Sequence, residues 1–238
     1  MTFDLALVVP VYNEGECVAR VIASWHEVLR GLHIRFCMIV LNDGSRDDTA
    51  AQLEPFRANG NIEICHQENK GHGPTILVGY SRACDISEWV FHSDSDDEIS
   101  PTHFPSFWRN RAEYDAILGV RQHRSRGVAR RIISLAARLL VRALFGRGIR
   151  DVNVPYRLMR SSVLKQLIGQ IPPGTFAPNV IISGAIVHSG LRFLEIPVPC
   201  EGRRTGSMSI VRWKLWKAAG QSLMQTLSCR PVIARRGR

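Results

Sequence analysis

No stretch of 18 consecutive apolar residues occurs in the 238-residue chain, so no segment is suited to cross a bilayer as a helix. The six cysteines, Cys17, Cys37, Cys65, Cys84, Cys200 and Cys229, form no CxxC pair and lie scattered through predicted strands and helices. That excludes a zinc ribbon or a disulfide frame and fits reduced thiols in a cytosolic protein. The first residues run straight into a predicted strand, which leaves no room for a secretory leader. Neither GxGxxG nor GxxxxGK[ST] occurs, so a dinucleotide fingerprint and a P-loop are both absent. No internal repeat or low-complexity tract is visible.

Negative charge is scarce in the second half. Residues 1–108 carry 7 basic and 16 acidic side chains, residues 109–160 carry 13 and 3, and residues 161–238 carry 11 and 2. An acidic portion able to hold a cation is therefore joined to a basic portion that seeks anions. Nucleic acid, anionic lipid head groups and phosphorylated substrates are the candidates.

What is present starts with alternation. Leu5–Pro10, Phe36–Leu41, Ile62–Ile64 and Trp89–Phe91 are apolar runs that read as strands. Helices are predicted from about Glu14 to Leu32 and, after the glycine-rich loop Asn69–Pro74, as far as Cys84. Asp115–Val120 and Phe193–Val198 read as further strands. Arg130–Phe145, a stretch from Ser161, Asn179–Ser189 and Trp213–Leu227 read as helices. The segment Asp151–Arg160 reads as a lead-in to the helix at Ser161. This predicts an α/β fold, Rossmann-like, with a doubly wound, mostly parallel sheet and helices on both faces. Residues 1–210 would form one domain, with an amphipathic helix and basic tail over 211–238.

In such a sheet, ligands bind outside the carboxyl ends of the strands. Three polar segments fall there: Tyr12-Asn13-Glu14, Asn42-Asp43-Gly44 and His92-Ser93-Asp94-Ser95-Asp96-Asp97-Glu98. Four carboxylates in five residues repel one another, and a divalent cation cancels the repulsion. Oxygen ligands of this kind on Asp94, Asp96 and Glu98 suit Mg²⁺ or Mn²⁺, with substrate phosphates completing the shell. A solvated acidic turn before the helix near Pro101 is the plainer alternative. Downstream, Arg131, Ser134, Arg138 and Arg142 share one helix face, opposite an apolar stripe from Ile132 to Leu144. Such a helix either lies on an anionic membrane or is simply solvated.

Val8-Val9-Pro10-Val11-Tyr12-Asn13-Glu14, Asn42-Asp43-Gly44-Ser45, Asn69-Lys70-Gly71, Asp94-Ser95-Asp96 and Arg203-x-x-Gly206 occur in that order. Together they resemble the family 2 inverting glycosyltransferases with the GT-A fold. The branch they look most like is that of the polyprenyl-phosphate sugar synthases of the dolichyl-phosphate mannose synthase type. The resemblance implies that Pro10, Tyr12, Glu14 and Asp43 meet the donor nucleotide. It places Asp94, Ser95 and Asp96 at the donor as a DxD motif, with Asp96 and Glu98 on the metal. Arg121, Arg130 and Ser134 would hold the acceptor phosphate, and Arg203 the donor diphosphate. Asp151 would be the general base if the acceptor were a hydroxyl; an ion pair with Arg150 or Arg157 is the structural alternative. Glu98 replaces a glutamine frequent in the branch, Pro155 a glycine and Ser209 a lysine.

The implied activity is transfer of a sugar from a nucleotide diphosphate sugar to a polyprenyl phosphate. The enzyme would be peripheral on the cytoplasmic membrane face, in contact with anionic lipid and without a nucleic-acid partner. Transfer to a saccharide or other soluble acceptor is the alternative, as is a relative that only binds nucleotide. A basic nucleic-acid-binding domain is the rival from another class; few aromatics interleave the arginines and no binding motif is present.

Overall fold

Apolar runs without alternation make strands that are buried on both faces. The computed structural model, described here over residues 2–122 and 149–200, gathers them into one seven-stranded sheet. The strands are β1 (Phe3–Val11), β2 (Phe36–Asp43), β3 (Ile62–Gln67), β4 (Ser87–Ser93), β5 (Ala116–Gln122), β6 (Tyr156–Arg160) and β7 (Phe193–Pro199), in the order β3-β2-β1-β4-β6-β5-β7. β1 through β4 pair in parallel, as do β5 and β7, while β6 runs antiparallel to both its neighbours. The helices are α1 (Val18–Gly31), α2 (Thr49–Leu53), α3 (His72–Ile86), α4 (Phe104–Asn110), α5 (Ser161–Ile168) and α6 (Pro178–His188).

α1 buries the predicted stripe of Val18, Val21, Ile22, Trp25 and Leu29. It starts later than its sequence pattern because the N–H groups of Cys17 and Val18 both turn back to the carbonyl of Glu14. Trp25 carries the helix onto an aromatic cluster with Phe91, Phe104 and Tyr156. α3 approaches the sheet most closely at Gly79, where an added Cβ would lie 2.4 Å from Val8 Cγ1 and 2.9 Å from Leu41 Cδ1. Burial pushes the thiols of Cys37 and Cys84 up to about 11 and about 12. Such thiols stay protonated and inert.

The lead-in Asp151–Arg160 holds the main departure from expectation. Its second half is β6, inserted between β4 and β5 with Phe91 opposite Leu158 and Ile117 opposite the same residue. Two arginines in five residues hide the strand. Arg157 is nonetheless fully buried and donates from Nε to the carbonyl of Val154 at 2.9 Å. It also donates to the carbonyls of Asn179 at 3.2 Å and Val152 at 3.3 Å. Burial pulls its pKa down, and these acceptors stand in for water around the charge.

Strand order reverses between β1 and β4, which opens the crevice where ligands bind in such sheets. Because Tyr156 lies opposite Ser93, the loop before β6 falls at the same edge as the end of β4. The predicted helices at 130–145 and 213–227, the loop at 203–207, the division at 210 and residues Arg130, Ser134 and Arg203 lie outside the described residues. No helix among the described residues is long and apolar enough to cross a membrane.

Gly79→Val should push α3 off Val8 and Leu41 and lower stability by about 1–3 kcal/mol in urea unfolding. Gly31→Ala, with nothing within 4 Å of the added carbon, should leave stability unchanged or raised.

Candidate active site

The exits of β1 and β2 are laced to each other. Asn13 takes a left-handed conformation at φ 53°, donates its N–H to Ser45 Oγ at 2.9 Å and accepts the N–H of Arg46 at 2.8 Å. The N–H of Glu14 reaches Thr49 Oγ1 at 2.9 Å, and that of Gly15 reaches Asp47 Oδ2 at 3.1 Å. Pro10 is buried within β1 opposite Leu41, and Tyr12 stands half-buried at the strand's exit. Glu14 is buried, with the Cys17 thiol donating to it at 3.4 Å; the same thiol lies 3.4 Å from the carbonyl of Ser95. Three of the polar segments read from the sequence are thus joined at one edge.

Asp43 organises the glycine-rich loop. Its carboxylate accepts the N–H groups of Lys70 at 2.8 Å and Gly71 at 2.9 Å and the side chain of Gln67 at 2.8 Å. Its carbonyl accepts Asn69 Nδ2 at 2.9 Å. Gly44 at φ +68° and Gly71 at φ +88° supply the left-handed turns that this wrap requires. The sequence pointed to Asp43 as a nucleotide contact but gave no sign of this bracing, which spans 27 residues to Lys70. The loop ends at α3, whose Gly73 lies under the backbone of Thr175 and Phe176; a Cβ there would stand 2.2 Å and 2.3 Å from their carbonyl oxygens.

The acidic run does not act as one cluster. Asp97, in a left-handed conformation at φ 56°, turns out to Arg20 at 3.1 Å. Asp96 Oδ1 accepts the N–H of Glu98 at 3.2 Å, and Glu98 Oε2 lies 3.7 Å from the Cys200 thiol. Ser95 is buried. Asp94 alone turns to the imidazoles: its Oδ1 is 3.4 Å from Nε2 of His92 and 3.5 Å from Nε2 of His72. Among the described residues, His72, His92 and Asp94 bring one ligand atom each within 4.8 Å of one another. The left-handed turn at Asp97 directs that carboxylate to Arg20. The donor set of two imidazoles and a carboxylate suits a divalent cation, with Asp96 two residues away along the same loop.

Burial opposes charge on Asp94, but His72, the hydrogen-bonding reach of His92 and the charge of Arg121 hold it below the ordinary carboxylate range. Burial also lowers His92, only partly offset by Asp94, so its ring favours the neutral form. Neither histidine carried a sequence signal, since a lone imidazole has no spacing pattern.

Arg121 ends β5 in a bidentate pair with Asp151, Nε to Oδ2 at 2.7 Å and Nη2 to Oδ1 at 2.8 Å. Burial disfavours the Arg121 charge, but Asp151 outweighs it and raises the pKa. The sequence offered Arg150 or Arg157 as partners for Asp151. Instead, the Arg150 N–H bonds Glu195 Oε1 at 2.7 Å, and Arg157 is taken up by buried carbonyls. Two residues assigned to separate roles, 30 positions apart, therefore form one unit.

Partial burial works against charge on Asp47, but the Thr49 hydroxyl and the N–H groups of Gly15 and Thr49 outweigh it, so Asp47 titrates below the ordinary carboxylate value. Its contribution is present above the unfolded-chain pKa and lost as pH falls through the folded one. The stability lost in Asp47→Ala, measured by urea unfolding at pH 7, should therefore shrink as the pH drops below about 4.

The sequence profile described as Glycosyl transferase family 2 matches residues 6–168. An uncharacterized glycosyltransferase of Synechocystis sp. is 28% identical over 227 residues, covering 92% of this chain and 68% of that protein. Undecaprenyl-phosphate 4-deoxy-4-formamido-L-arabinose transferases of Pseudomonas fluorescens and Pseudomonas paraeruginosa are 25% and 24% identical over 189 residues. The chain spans about half of their length, 54% and 55%. Glucosyl-3-phosphoglycerate synthase from Mycobacterium tuberculosis, solved with Mn²⁺, UDP-glucose and phosphoglyceric acid, superposes with a TM-score of 0.71 at 18% identity, covering 96% of this chain and 80% of that one. A profile that runs from the middle of β1 to the end of α5, on a sheet of this order, makes the chain a member of glycosyl transferase family 2 with the GT-A fold.

Proposed function

We propose that the protein transfers a sugar from a nucleotide diphosphate sugar to a polyprenyl phosphate, inverting the anomeric centre, from a peripheral position on the cytoplasmic face of a membrane. The observation that carries this reading is the Arg121–Asp151 pair at the same sheet edge as the acidic loop. A guanidinium held in place by a carboxylate is built to position an anion.

In the reaction, an acceptor phosphate oxygen forms a bond to the sugar's C1 from the face opposite the leaving group. The C1–O bond to the diphosphate breaks, and the electron pair departs on the nucleoside diphosphate. A phosphate monoester is already anionic, so no proton has to be removed and positioning is the main requirement. A hydroxyl acceptor would need a base. Asp151 has both oxygens engaged by Arg121, which suits it to orienting that side chain rather than to taking a proton.

Tyr12, Glu14 and Asp43 frame the nucleoside end of the donor, and Pro10 shapes the strand behind them. Asp94 and Asp96, with Glu98 nearby, would hold a dication, Mg²⁺ or Mn²⁺ by resemblance. When bound, it supplies electrostatic stabilisation of the leaving diphosphate. Arg203 is assigned to that diphosphate, and Arg130 and Ser134 to the acceptor phosphate. Support comes from the two Pseudomonas relatives named for transfer to undecaprenyl phosphate and from the Mn²⁺ and UDP-sugar held by the solved synthase. A soluble phosphorylated acceptor is the second reading, favoured by the phosphoglyceric acid in that synthase.

The test is transfer of label from UDP-, GDP- and dTDP-sugars, with Mg²⁺ or Mn²⁺, into undecaprenyl phosphate in detergent micelles or into 3-phosphoglyceric acid. Labelled lipid is expected; label in phosphoglyceric acid alone would replace the lipid reading with the second. Asp96→Asn should lower kcat/KM about 100-fold or more. Arg121→Lys, which loses the two-pronged contact, should raise the acceptor KM about 10-fold while leaving the donor KM nearly constant. An equal rise in both would remove Arg121 from the acceptor site.

A further inference from the structure

We propose that His72, His92 and Asp94 form a seat for a first-row transition-metal dication, one that takes Co²⁺ or Zn²⁺ in preference to Mg²⁺. The inference rests on the glycosyltransferase reading for the ion's task, but not for its binding.

The spacing is the first argument. His92 Nε2 and His72 Nε2 stand 3.4 Å and 3.5 Å from Asp94 Oδ1, and all three ligand atoms fall within 4.8 Å of one another. Two donors, each about 2.1 Å from an ion and set at the tetrahedral angle, are about 3.4 Å apart. The two distances to Asp94 therefore match a shared ion.

The second argument is an unmet bonding requirement. His92 is fully buried, yet its Nε2 has no hydrogen-bond partner, and neither has Asp94 Oδ1. The other ring nitrogen explains why. Nδ1 is 3.0 Å from the Tyr80 hydroxyl, and that hydroxyl donates its proton to Asn179 Oδ1 at 3.0 Å. In the tautomer with its proton on Nδ1, that N–H donates to the phenol oxygen and Nε2 turns its lone pair to a carboxylate oxygen. The Asn179 amide nitrogen is farther from the same Nδ1, at 3.4 Å. In that tautomer two acceptors face each other, and a cation between them resolves the conflict. Metal-bound imidazoles characteristically have their second nitrogen fixed in this way.

The third argument is the scaffold. His92 lies within β4, and His72 opens α3 where Gly73 is locked beneath the carbonyls of Thr175 and Phe176. The His72 side chain is 56% exposed, which leaves the seat an open side. Three protein ligands leave a coordination position for a phosphate oxygen. Two imidazoles favour borderline metals, whereas Mg²⁺ prefers oxygen and water.

The experiment uses the full chain stripped of metal and titrated with Co²⁺, read by its visible d–d bands, and with Mn²⁺, read by electron spin-echo modulation from directly bound ¹⁴N. Bands of nitrogen-ligated Co²⁺ are expected, with Co²⁺ and Zn²⁺ bound about 100-fold more tightly than Mg²⁺. His72→Gln, at an exposed side chain whose loss leaves the core intact, should weaken Co²⁺ about 10-fold or more and remove one nitrogen coupling. His92→Gln, checked for fold by circular dichroism, should remove the other. Asp96→Asn should keep the imidazole couplings. Absent nitrogen couplings, or Co²⁺ bands unchanged in His72→Gln, would overturn the proposal. Metal binding as expected with no sugar transfer to any acceptor would instead sink the enzymatic reading and leave the seat standing.

Discussion

Four carboxylates leave β4 within five residues, and the fold around that point is arranged to keep them from opposing one another. Each is given a different surrounding. Asp94 turns to two imidazoles, Asp96 caps the backbone of Glu98, Asp97 crosses to Arg20 on α1, and Glu98 faces the Cys200 thiol at the end of β7. The left-handed turn at Asp97 makes the separation possible.

The second constraint is the antiparallel entry of β6. A parallel strand beside β4 would send its preceding loop to the opposite end of the sheet. Because β6 runs the other way, the chain from Ile149 to Pro155 arrives at the carboxyl edge of β4 and presents Asp151 to Arg121. The cost is a buried guanidinium at Arg157, offset by three carbonyls and the Ser183 hydroxyl. Arg157 also links this strand to α6 through Asn179, whose side chain accepts from Tyr80 beneath His92. One buried polar chain thus runs from the β6 strand to the imidazole at the candidate cation seat.

These two constraints mark the limit of what could be read in advance. Strands made of unbroken Val, Ile and Leu declare themselves, as β1 and β2 did, and the spacing of Val18, Val21, Ile22, Trp25 and Leu29 declares a helix. β6 stayed hidden because Tyr-Arg-Leu-Met-Arg carries two charges whose compensation is entirely tertiary. The Gly71 turn and the polar exits of β1 and β2 were visible as motifs, but their wiring through Asp43, Asp47 and Asn13 was not. Hydrogen bonds across some 30 residues leave no local pattern. His72 and His92 stand 20 positions apart on different elements, so nothing in the chain joined them.

The two halves of the crevice are electrically coupled. Arg121 stabilises the charged form of Asp94, and Asp94 and Glu98 in turn stabilise that of Arg121. In the proposed reaction this coupling bears on the order of events. An acidic edge repels both an incoming nucleotide diphosphate and an anionic acceptor, and among the described residues Arg121 sets its positive charge against Asp151, Glu98 and Asp94. A dication at the edge reverses the local sign, so that donor phosphates are drawn in. Arg121, relieved of part of its attraction to Asp94, is then freer to face the acceptor.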